Sequence, residues 1–377
     1  MSASTHVDII VVGAGPAGST CASLLSERGL NVLLLDKANF PRDKICGDCI
    51  NPRAWQYFDL LGVSEMLRTQ HLQSLKSVRV ANVAGENFVV ALDPPSSTPF
   101  FSLRRSVLDS ILLDRAGRKG ATILQETRVV DITPATPWNV SVRNRQGSTR
   151  FTCDVLVGAD GRNSAVAHMV GARTIGQYGS DSQKRVGFQW HARFQPSLRS
   201  EVQLFTLGNG YLGVVNVDDQ TSNIALVADK ALGQMVRSDF PGFLQGAAHN
   251  NPLLRQMGLE LMPRGNLLSA FPVDPVRREW HQSRLFLIGD AHQTVEPFTG
   301  EGIAFALEDG YRAACRILAT YHKRIPYEIG GSGKFFVNQV VSPALRNTRI
   351  VESFVSLASR FSWLAQLFAN RVLRVPS

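Results

Sequence analysis

The chain has 377 residues, of which 44% are hydrophobic and 19% charged, so it can fold as one large or two ordinary globular domains and is not a disordered chain. Lysine and arginine number 40 against 31 aspartates and glutamates, a formal net charge of +9. No apolar run approaches the roughly 18 residues of a membrane-spanning helix, and five cysteines with no signal-like N-terminus predict a cytoplasmic protein without a disulfide framework.

A strand–turn–helix–strand unit opens the chain. The apolar run 7–12 predicts a buried parallel strand, the glycine-rich turn 13–18 follows at once, and apolar spacing predicts a helix over 19–28. A second strand over 31–36 ends in a carboxylate. Such a unit is typical of a dinucleotide site, where helix N-terminal N–H groups bind pyrophosphate and the carboxylate binds ribose hydroxyls. The residues assigned to it are Gly13, Gly15, Pro16, Ala17, Gly18, Asp36 and the adjacent Lys37.

Later segments carry further signals. The run 155–164 is a strand leading into Asp160 and Gly161, and the strand 284–288 leads into Gly289 and Asp290. A long helix is predicted from about residue 304. The pattern of 208–213 repeats the glycine spacing of the first turn, but a strand follows it, so we interpret it as a hairpin without a nucleotide role.

With these segments in this order, the chain resembles the FAD-dependent oxidoreductases of the p-hydroxybenzoate hydroxylase fold. Within that group, the Pro-Arg-x-Lys-x-Cys-Gly pattern at 41–47 and the Pro-x-Thr-Gly-Glu-Gly pattern at 297–302 resemble the geranylgeranyl reductase family. The resemblance implies an α/β fold: a Rossmann-like FAD domain with an inserted, mainly antiparallel β-sheet substrate domain and a helical C-terminus. The expected boundaries are 1–75, 101–175 and 271–330 for the FAD domain, 76–100 and 176–270 for the substrate domain, and 331–377 for the C-terminal segment.

The resemblance also assigns residues to FAD. Asp290 would hold the ribitol, Asp160 would lie near the pyrophosphate, and the backbone of Val129 would touch the adenine. The complete set of cofactor contacts implied outside the first unit is Arg42, Cys46, Gly47, Arg105, Val129, Asp160, Gly161, Asp290, Pro297, Gly300, Glu301, Gly302 and Ile303.

The substrate pocket is predicted around four aromatic residues. Alternation along 186–193 puts Phe188 and Trp190 on one face and His191 on the other, which suits either the roof of an apolar cavity or an ordinary core. Tyr211 and Phe298 complete the set. The Tyr-x-Trp-x-Phe-Pro segment of the resembled family is replaced here by 211–217, which begins with Tyr211 and lacks the tryptophan and the Phe-Pro.

Cys46 is the candidate catalytic residue, and with Cys49 it forms a Cys-x-x-Cys pair. Three interpretations stay open: Cys46 assists the flavin site, the pair is a redox dithiol, or both are inert. Zinc would need about two more ligands, and His71 is the nearest candidate in sequence, so no metal site is predicted.

The implied function is an FAD-dependent oxidoreductase acting on an apolar or carrier- or phosphate-linked small molecule, with NAD(P)H as a transient reductant. Reduction of prenyl-type C=C bonds is the first candidate. A flavin monooxygenase or halogenase working through a flavin C4a-hydroperoxide is the second. A flavin-binding electron carrier without turnover is the candidate from another class.

Partners are predicted from charge and from the C-terminus. The scattered basic residues exclude nucleic acid and leave an anionic substrate, a carrier protein holding the substrate, or a basic surface. Alternating spacings of three and four predict one helix face that packs on the body or contacts a membrane surface. Its apolar residues are Phe354, Leu357, Phe361, Leu364 and Phe368.

Overall fold

The computed structural model describes residues 5–92, 97–175, 184–297, 300–325 and 347–372. Its strands, in chain order, are β1 (Thr5–Val12), β2 (Val32–Leu35), β3 (Cys49–Ile50), β4 (Gln73–Leu75), β5 (Ser77–Ala81), β6 (Asn87–Ala91), β7 (Phe100–Ser102), β8 (Thr122–Leu124), β9 (Arg128–Thr133), β10 (Trp138–Asn144), β11 (Gly147–Gly158), β12 (Arg173–Ile175), β13 (Val186–Arg193), β14 (Glu201–Thr206), β15 (Gly210–Asn216), β16 (Thr221–Ala228), β17 (Leu268–Ala270), β18 (Arg277–Glu279) and β19 (Leu285–Leu287).

The helices follow the same numbering along the chain. They are α1 (Pro16–Ser26), α2 (Trp55–Leu61), α3 (Ser64–Arg68), α4 (Arg105–Arg118), α5 (Ala165–Met169), α6 (Lys230–Ser238), α7 (Phe240–Asn250), α8 (Pro252–Met257), α9 (Gly302–Thr320), α10 (Thr348–Arg360) and α11 (Ser362–Val372).

The first sheet has the order β8-β2-β1-β11-β10-β9, and β19 also pairs with β11. The strands β8, β2, β1, β11 and β19 run parallel to their neighbours in this group, whereas β9, β10 and β11 form an antiparallel meander. Along β1, Ile9 and Val11 face the core formed with α1, α4 and α9, and Ile10 packs on the opposite side. The strand is therefore buried on both faces, as its continuous apolar sequence predicts.

The second sheet has the order β17-β13-β16-β15-β14-β5-β6 and is antiparallel except for the β14–β5 pair. Its register aligns Ala81, Phe205, Leu212, Leu226 and Phe188 on one face. That face packs in one core with residues of α6, α7 and α8. The sheet therefore belongs to a mixed α/β fold with parallel and antiparallel sheets, as predicted.

The opposite face of the second sheet is defined by the neighbouring register. It carries Val80, Leu204, Gly213, Ala225 and Gln189 across five strands. Side chains alternate between the two faces of a strand. The register that places one set of residues against the helices therefore places the other set on the opposite face of the sheet.

The C-terminal segment folds as two helices rather than the one predicted. α10 ends at Arg360, because the φ of −126° and ψ of 90° at Phe361 leave the helical region. Phe354 and Leu364 pack against Phe88 and its neighbours, while Leu357 and Phe361 are exposed. The predicted continuous stripe is therefore wrong, since the bend at residue 361 redirects it. The side chain of Phe368 lies outside the described residues.

Membrane spanning is the remaining question of architecture. Among the helices that the structure describes, none has the length and apolar character needed to cross a bilayer.

Candidate functional site

A cavity of about 490 Å³ gathers segments from both ends of the chain. Strands of the second sheet and the segments that follow β1, β11 and β19 of the first sheet form its wall. The predicted cofactor residues that line it are Gly15, Pro16, Ala17, Cys46, Gly47, Arg105, Asp160, Gly161, Asp290, Pro297, Gly300, Gly302 and Ile303. Tertiary structure thus brings four separate sequence motifs to one place, which is the principal reason for treating this cavity as the functional site.

The turn between β1 and α1 depends on close backbone packing. Gly13 has a φ of +104°, and a Cβ there would lie 2.4 Å from the carbonyl oxygen of Ala159. A Cβ on Gly18 would lie 1.8 Å from the carbonyl oxygen of Gly13. These glycines allow the ends of β1 and β11 and the start of α1 to meet, as the dinucleotide motif requires.

The N-terminus of α1 opens on the cavity. Pro16 occupies its first turn, and Gly15 at the N-cap offers no side-chain hydrogen bond. The first N–H groups of a helix lack intrahelical acceptors, and the helix dipole adds positive potential there. This end of the cavity can therefore bind an anionic group such as a pyrophosphate.

Asp36 is buried behind this turn. Its carboxylate accepts hydrogen bonds from the backbone N–H groups of Ala14 and Ala38, both at 2.8 Å. It thus orders the glycine turn itself, and its predicted ribose contact stays a prediction. Lys37 is exposed, and Val129 packs in the core of the first sheet. Neither of these two is among the residues that line the cavity.

Two of the predicted cofactor arginines share one carboxylate. Arg105 donates two hydrogen bonds of 2.8 Å to Asp109, and an Nη1 of Arg42 lies 3.1 Å from the same carboxylate. Although burial lowers it, Asp109 raises the pKa of Arg105 above its usual value. Asp109 is fully buried and fixes Arg105 at the cavity wall. It holds Arg42, which is not a lining residue, close to Gly15.

The backbone of Cys46 is held by two amides of the second sheet. Its N–H donates to Oε1 of Gln189 at 3.1 Å, and its carbonyl accepts from Nδ2 of Asn223 at 2.9 Å. Gln189 in turn donates to Asn223 at 2.8 Å. The segment around Cys46, which is predicted to contact the cofactor, is thus joined to β13 and β16. Neither Gln189 nor Asn223 was predicted as a site residue from the sequence.

Cys46 and Cys49 are both free thiols at the cavity wall. Burial raises the pKa of each above its usual value, and for Cys46 the nearby Arg105 opposes this rise. Both sulfurs are therefore protonated near neutral pH. Such thiols are weak nucleophiles and can hold a proton at the cavity.

Asp48 follows this segment with a φ of +54°, in the left-handed region. Its carboxylate is buried, and an Oδ2 lies 3.7 Å from Nε2 of His191. Burial raises the pKa of Asp48, and His191 opposes the rise. Within the described residues, Oδ1 of Asp48 has no hydrogen-bond partner. Neither residue was predicted as part of the site from sequence.

The two predicted aspartates of the later motifs have different surroundings. Asp160 accepts from the hydroxyl of Ser164 at 2.5 Å and from the N–H of Ala165 at 2.7 Å, so it caps the start of α5. The neighbouring Gly161, with a φ of +86°, lies at the cavity wall. Asp290 lies in the 3₁₀ turn Gly289–Ala291 and lines the cavity directly.

The start of α9 presents small residues to the cavity and turns its carboxylate away. Gly300 has a φ of +65°, and Gly302 and Ile303 line the wall. Glu301 is buried with an oxygen 3.8 Å from Arg53. Burial raises the pKa of Glu301 to about 7, against the influence of Arg53.

A large apolar part of the wall comes from the second sheet and its neighbours. It includes Leu75, Val78, Val80, Phe88, Val90, Leu92, Phe100, Val202, Leu204, Val214, Val215, Leu226 and Val227. Tyr211 also lines it and donates from its hydroxyl to Glu296 at 2.9 Å, and Glu296 pairs with the buried Arg185 at 2.8 Å.

The aromatic residues of β13 require a correction. Trp190 does not line the cavity: its indole donates to the carbonyl of Leu261 at 2.7 Å and packs edge-on against Phe240. Phe188 is among the lining residues but belongs to the same helix-side core, with Arg237 over its ring. Alternation was predicted correctly, but the aromatic face is turned toward the helices. Phe298 lies outside the described residues.

The site fits FAD by its donor set. One end offers an uncapped helix N-terminus, glycines without room for side chains, and cationic residues, which suit a pyrophosphate. The other end offers Cys46, Gly47 and the start of α9 beside an apolar wall, which suits a flat aromatic ring. No cluster of three or more metal-ligating side chains occurs in the part of the chain that the structure describes.

Comparison with known proteins follows this geometry. Residues 6–228 match the family model described as FAD binding domain. The chain is 30% identical over 335 residues to the menaquinone reductase of Mycobacterium tuberculosis, covering 83% of this chain and 77% of that protein. It is 26% identical over 336 residues to the digeranylgeranylglycerophospholipid reductase of Methanocella arvoryzae, covering 84% and 78%.

A solved structure shows the same fold. The flavin-dependent brominase Bmp2 superposes with a TM-score of 0.74 at 19% identity, covering 97% of this chain and 90% of the brominase. At that identity the likeness concerns the fold alone, and it agrees with the predicted arrangement of an FAD domain with an inserted sheet.

Proposed function

The chain belongs to the FAD binding domain family of FAD-dependent oxidoreductases, and on that premise we propose that it reduces prenyl-type C=C bonds of an apolar substrate. The observation that carries this proposal is the composition of the cavity. Cys46, Gly47 and the 300–303 segment share one cavity with a wall of aliphatic side chains from β5, β6, β14, β15 and β16. A substrate held there would lie with its hydrocarbon part on the second sheet.

The apolar wall suits a branched hydrocarbon chain. Leu75, Val78, Val90, Val202 and Leu204 line it without a charged group among them. Burial of apolar surface stabilises a bound chain by about 25 cal/mol per Å². The names of two relatives, a menaquinone reductase and a digeranylgeranylglycerophospholipid reductase, support a reductase of lipid-like substrates.

FAD, when bound, supplies the hydride, and the protein's residues place the substrate and provide the proton. Cys46 is the residue proposed for the proton. Its thiol lines the cavity, and burial keeps it protonated. Gln189 and Asn223 hold the Cys46 peptide against the second sheet, which also carries the substrate wall. One hydride and one proton then saturate the double bond.

NAD(P)H is proposed as the source of the electrons. The sequence offers one dinucleotide unit, which the cofactor occupies, so NAD(P)H would bind only transiently. The net charge of +9 supports a substrate or a carrier with negative charge. The proposals of NAD(P)H as electron donor and of a negatively charged substrate or carrier are independent of FAD binding.

The test uses the FAD-loaded protein under anaerobic conditions with NADPH or NADH and a set of prenylated quinones and prenyl diphosphates. We expect mass spectrometry to find product heavier by two hydrogens for each saturated bond. Cys46→Ala should slow saturation while flavin reduction by the donor proceeds at the normal rate. Cys49→Ala is the matched control and should saturate the substrate at the wild-type rate. Loss of turnover in Cys49→Ala would favour the dithiol interpretation.

An oxygenating enzyme would give a different result. Oxygen- or halogen-containing products in air, with no saturated product without air, would replace the reductase by the monooxygenase or halogenase candidate. The fold shared with a flavin-dependent brominase makes this the appropriate second assay.

A further inference from the structure

Three cationic side chains line the cavity, and their partners differ. Arg105 is engaged by both oxygens of Asp109, and Arg162 donates from Nη1 to the carbonyl of Asp274 at 2.6 Å. Lys44 is the third. In the part of the chain that the structure describes, the ammonium of Lys44 makes no hydrogen bond and no ion pair. The amine of Lys44 thus has no direct ion-pair partner among the described residues, although Asp290 and Asp109 act on it at longer range.

The position of Lys44 is tightly defined. Its Nζ lies 3.3 Å from where a Cβ on Gly161 would stand, so the ammonium lies directly over the glycine of the Asp-Gly motif. Asp290 is the nearby acidic group of the wall, and Arg105 and Arg42 are the nearby cations. The first turn of α1 lines the same cavity. Each of these neighbours comes from a segment predicted to contact FAD, and Asp290 is the residue predicted to hold its ribitol.

The two arginines predicted to contact the cofactor contribute less net positive charge than two free arginines would. Arg42 and Arg105 both contact Asp109, so this carboxylate neutralises one of their two charges. Lys37, the lysine predicted from sequence, is exposed and lies outside the wall. A pyrophosphate carries about two negative charges, and a lysine ammonium is an established partner for such a group.

We propose that Lys44 binds the pyrophosphate of FAD and supplies the positive charge that the Asp109-bound arginines do not. The residue lies in the Pro-Arg-x-Lys-x-Cys-Gly pattern, so the same short segment would hold the anionic and the flavin ends of the cofactor. Burial lowers the pKa of Lys44, with Arg105 lowering it further and Asp290 and Asp109 opposing. An anion bound at Nζ would reverse this shift.

Equilibrium binding of FAD and of riboflavin to the apoprotein tests the assignment. Riboflavin shares the ring and ribitol but lacks the phosphates. We expect Lys44→Met to weaken FAD about tenfold to a hundredfold, the range for a hydrogen bond to a charged group, and to leave riboflavin unchanged. Lys44→Arg should recover part of the loss. Lys37→Met removes an exposed lysine seven residues away and should change neither ligand.

Two results would overturn the proposal. One is FAD binding to Lys44→Met with wild-type affinity. The other is an equal weakening of FAD and riboflavin, which would place the ammonium on the ring or make it a support of the loop. Thermal melting of the apoproteins checks that the variant folds. Lys44→Met removes a half-buried amine with no direct ion-pair partner among the described residues, so it should not lower the melting temperature. Lys44→Gln serves as a second variant of similar length.

Calorimetry gives a separate readout that needs no turnover. FAD binding to wild type should take up protons at pH values just below 10.5, the usual pKa of lysine, because the bound anion restores the charge of Lys44. Titrations in two buffers of different ionisation enthalpy measure this uptake, which should be smaller for Lys44→Met. Equal uptake in both proteins would contradict the proposal, whatever reaction the enzyme performs.

Discussion

The cofactor side and the substrate side of the cavity are built by opposite means. On the cofactor side, short contiguous motifs fix the backbone. Gly13 and Gly18 pack against it at distances that admit no side chain, and Asp36 binds the N–H of Ala14 in the turn and that of Ala38 after β2. On the substrate side, side chains from β4, β5, β6, β7, β14, β15 and β16 form the wall, and which of them face inward depends on the register of the strands.

This difference has a mechanical consequence. Local backbone contacts leave the cofactor side intolerant of added volume, whereas an aliphatic wall can be repacked at modest cost. One side can thus keep FAD fixed while the other varies to accept different hydrocarbon substrates.

Gly18→Ala should have the largest effect. The new Cβ would lie 1.8 Å from the carbonyl oxygen of Gly13, a backbone atom that cannot move alone. We expect the free energy of unfolding to fall by about 4 kcal/mol, with loss of FAD binding. Gly47→Ala is the control, because no atom lies within 4 Å of its new Cβ. Denaturant unfolding of the two variants measures the difference between their free energies of unfolding. Equal values would contradict the conclusion that the backbone packing at Gly18 admits no side chain.

Glu301, at the start of α9, makes the free energy of unfolding depend on pH. Its pKa is raised from 4.5 to about 7, so the folded state binds its proton more tightly than the unfolded state. Stability is therefore complete below pH 4.5 and is lost as pH rises through 7, by about 2–3 kcal/mol. Glu301→Gln should remove this loss and be the more stable protein at neutral pH.

The matched control for Glu301 is Glu65→Gln, since the Glu65 side chain is 92% exposed. Denaturation midpoints should be measured from pH 4.5 to 8. We expect the midpoint to fall with rising pH in Glu65→Gln as it does in wild type, and this fall to be absent in Glu301→Gln. A Glu301→Gln protein with the wild-type slope would mean that the carboxylate is already ionised in the folded state.

The outer surface of the substrate side offers the smallest effect. α10 and α11 expose Ile350, Leu357, Phe361, Trp363 and Leu367, and the Trp363 side chain is 63% exposed. The opposite faces of these helices pack on Phe88 and Val90, which also line the cavity. The predicted membrane contact therefore stays a prediction with a defined surface, at which a basic protein would meet anionic lipid.

Flotation with anionic vesicles tests this contact. Replacing Trp363 and Leu367 together by serine should lower the partition coefficient about tenfold. Met235→Ser removes an exposed apolar side chain from α6, elsewhere on the protein, and is the control. Wild-type protein that stays with the buffer, or a double variant that floats as well as wild type, would refute the prediction.

Several features of the site could be predicted only in part. Lys44 stands inside a recognised pattern, but only the structure distinguishes it from Lys37 by placing one in the wall and the other in solvent. Gln189 and Asn223 gave no signal, because an amide on a strand acquires its role from the chain it meets across the cavity. Asp160 was predicted near the pyrophosphate, yet its carboxylate caps α5.

The sequence by itself determined the cofactor half. The motif from Gly13 to Asp36 is contiguous, and Gly18 and Asp36 act on the backbone of Gly13 and Ala14 within the same unit, so their spacing specifies their function. Tertiary structure decided the substrate half. Alternation on β13 separates Trp190 from Gln189, but which face meets the helices and which meets Cys46 depends on strands and helices distant in sequence.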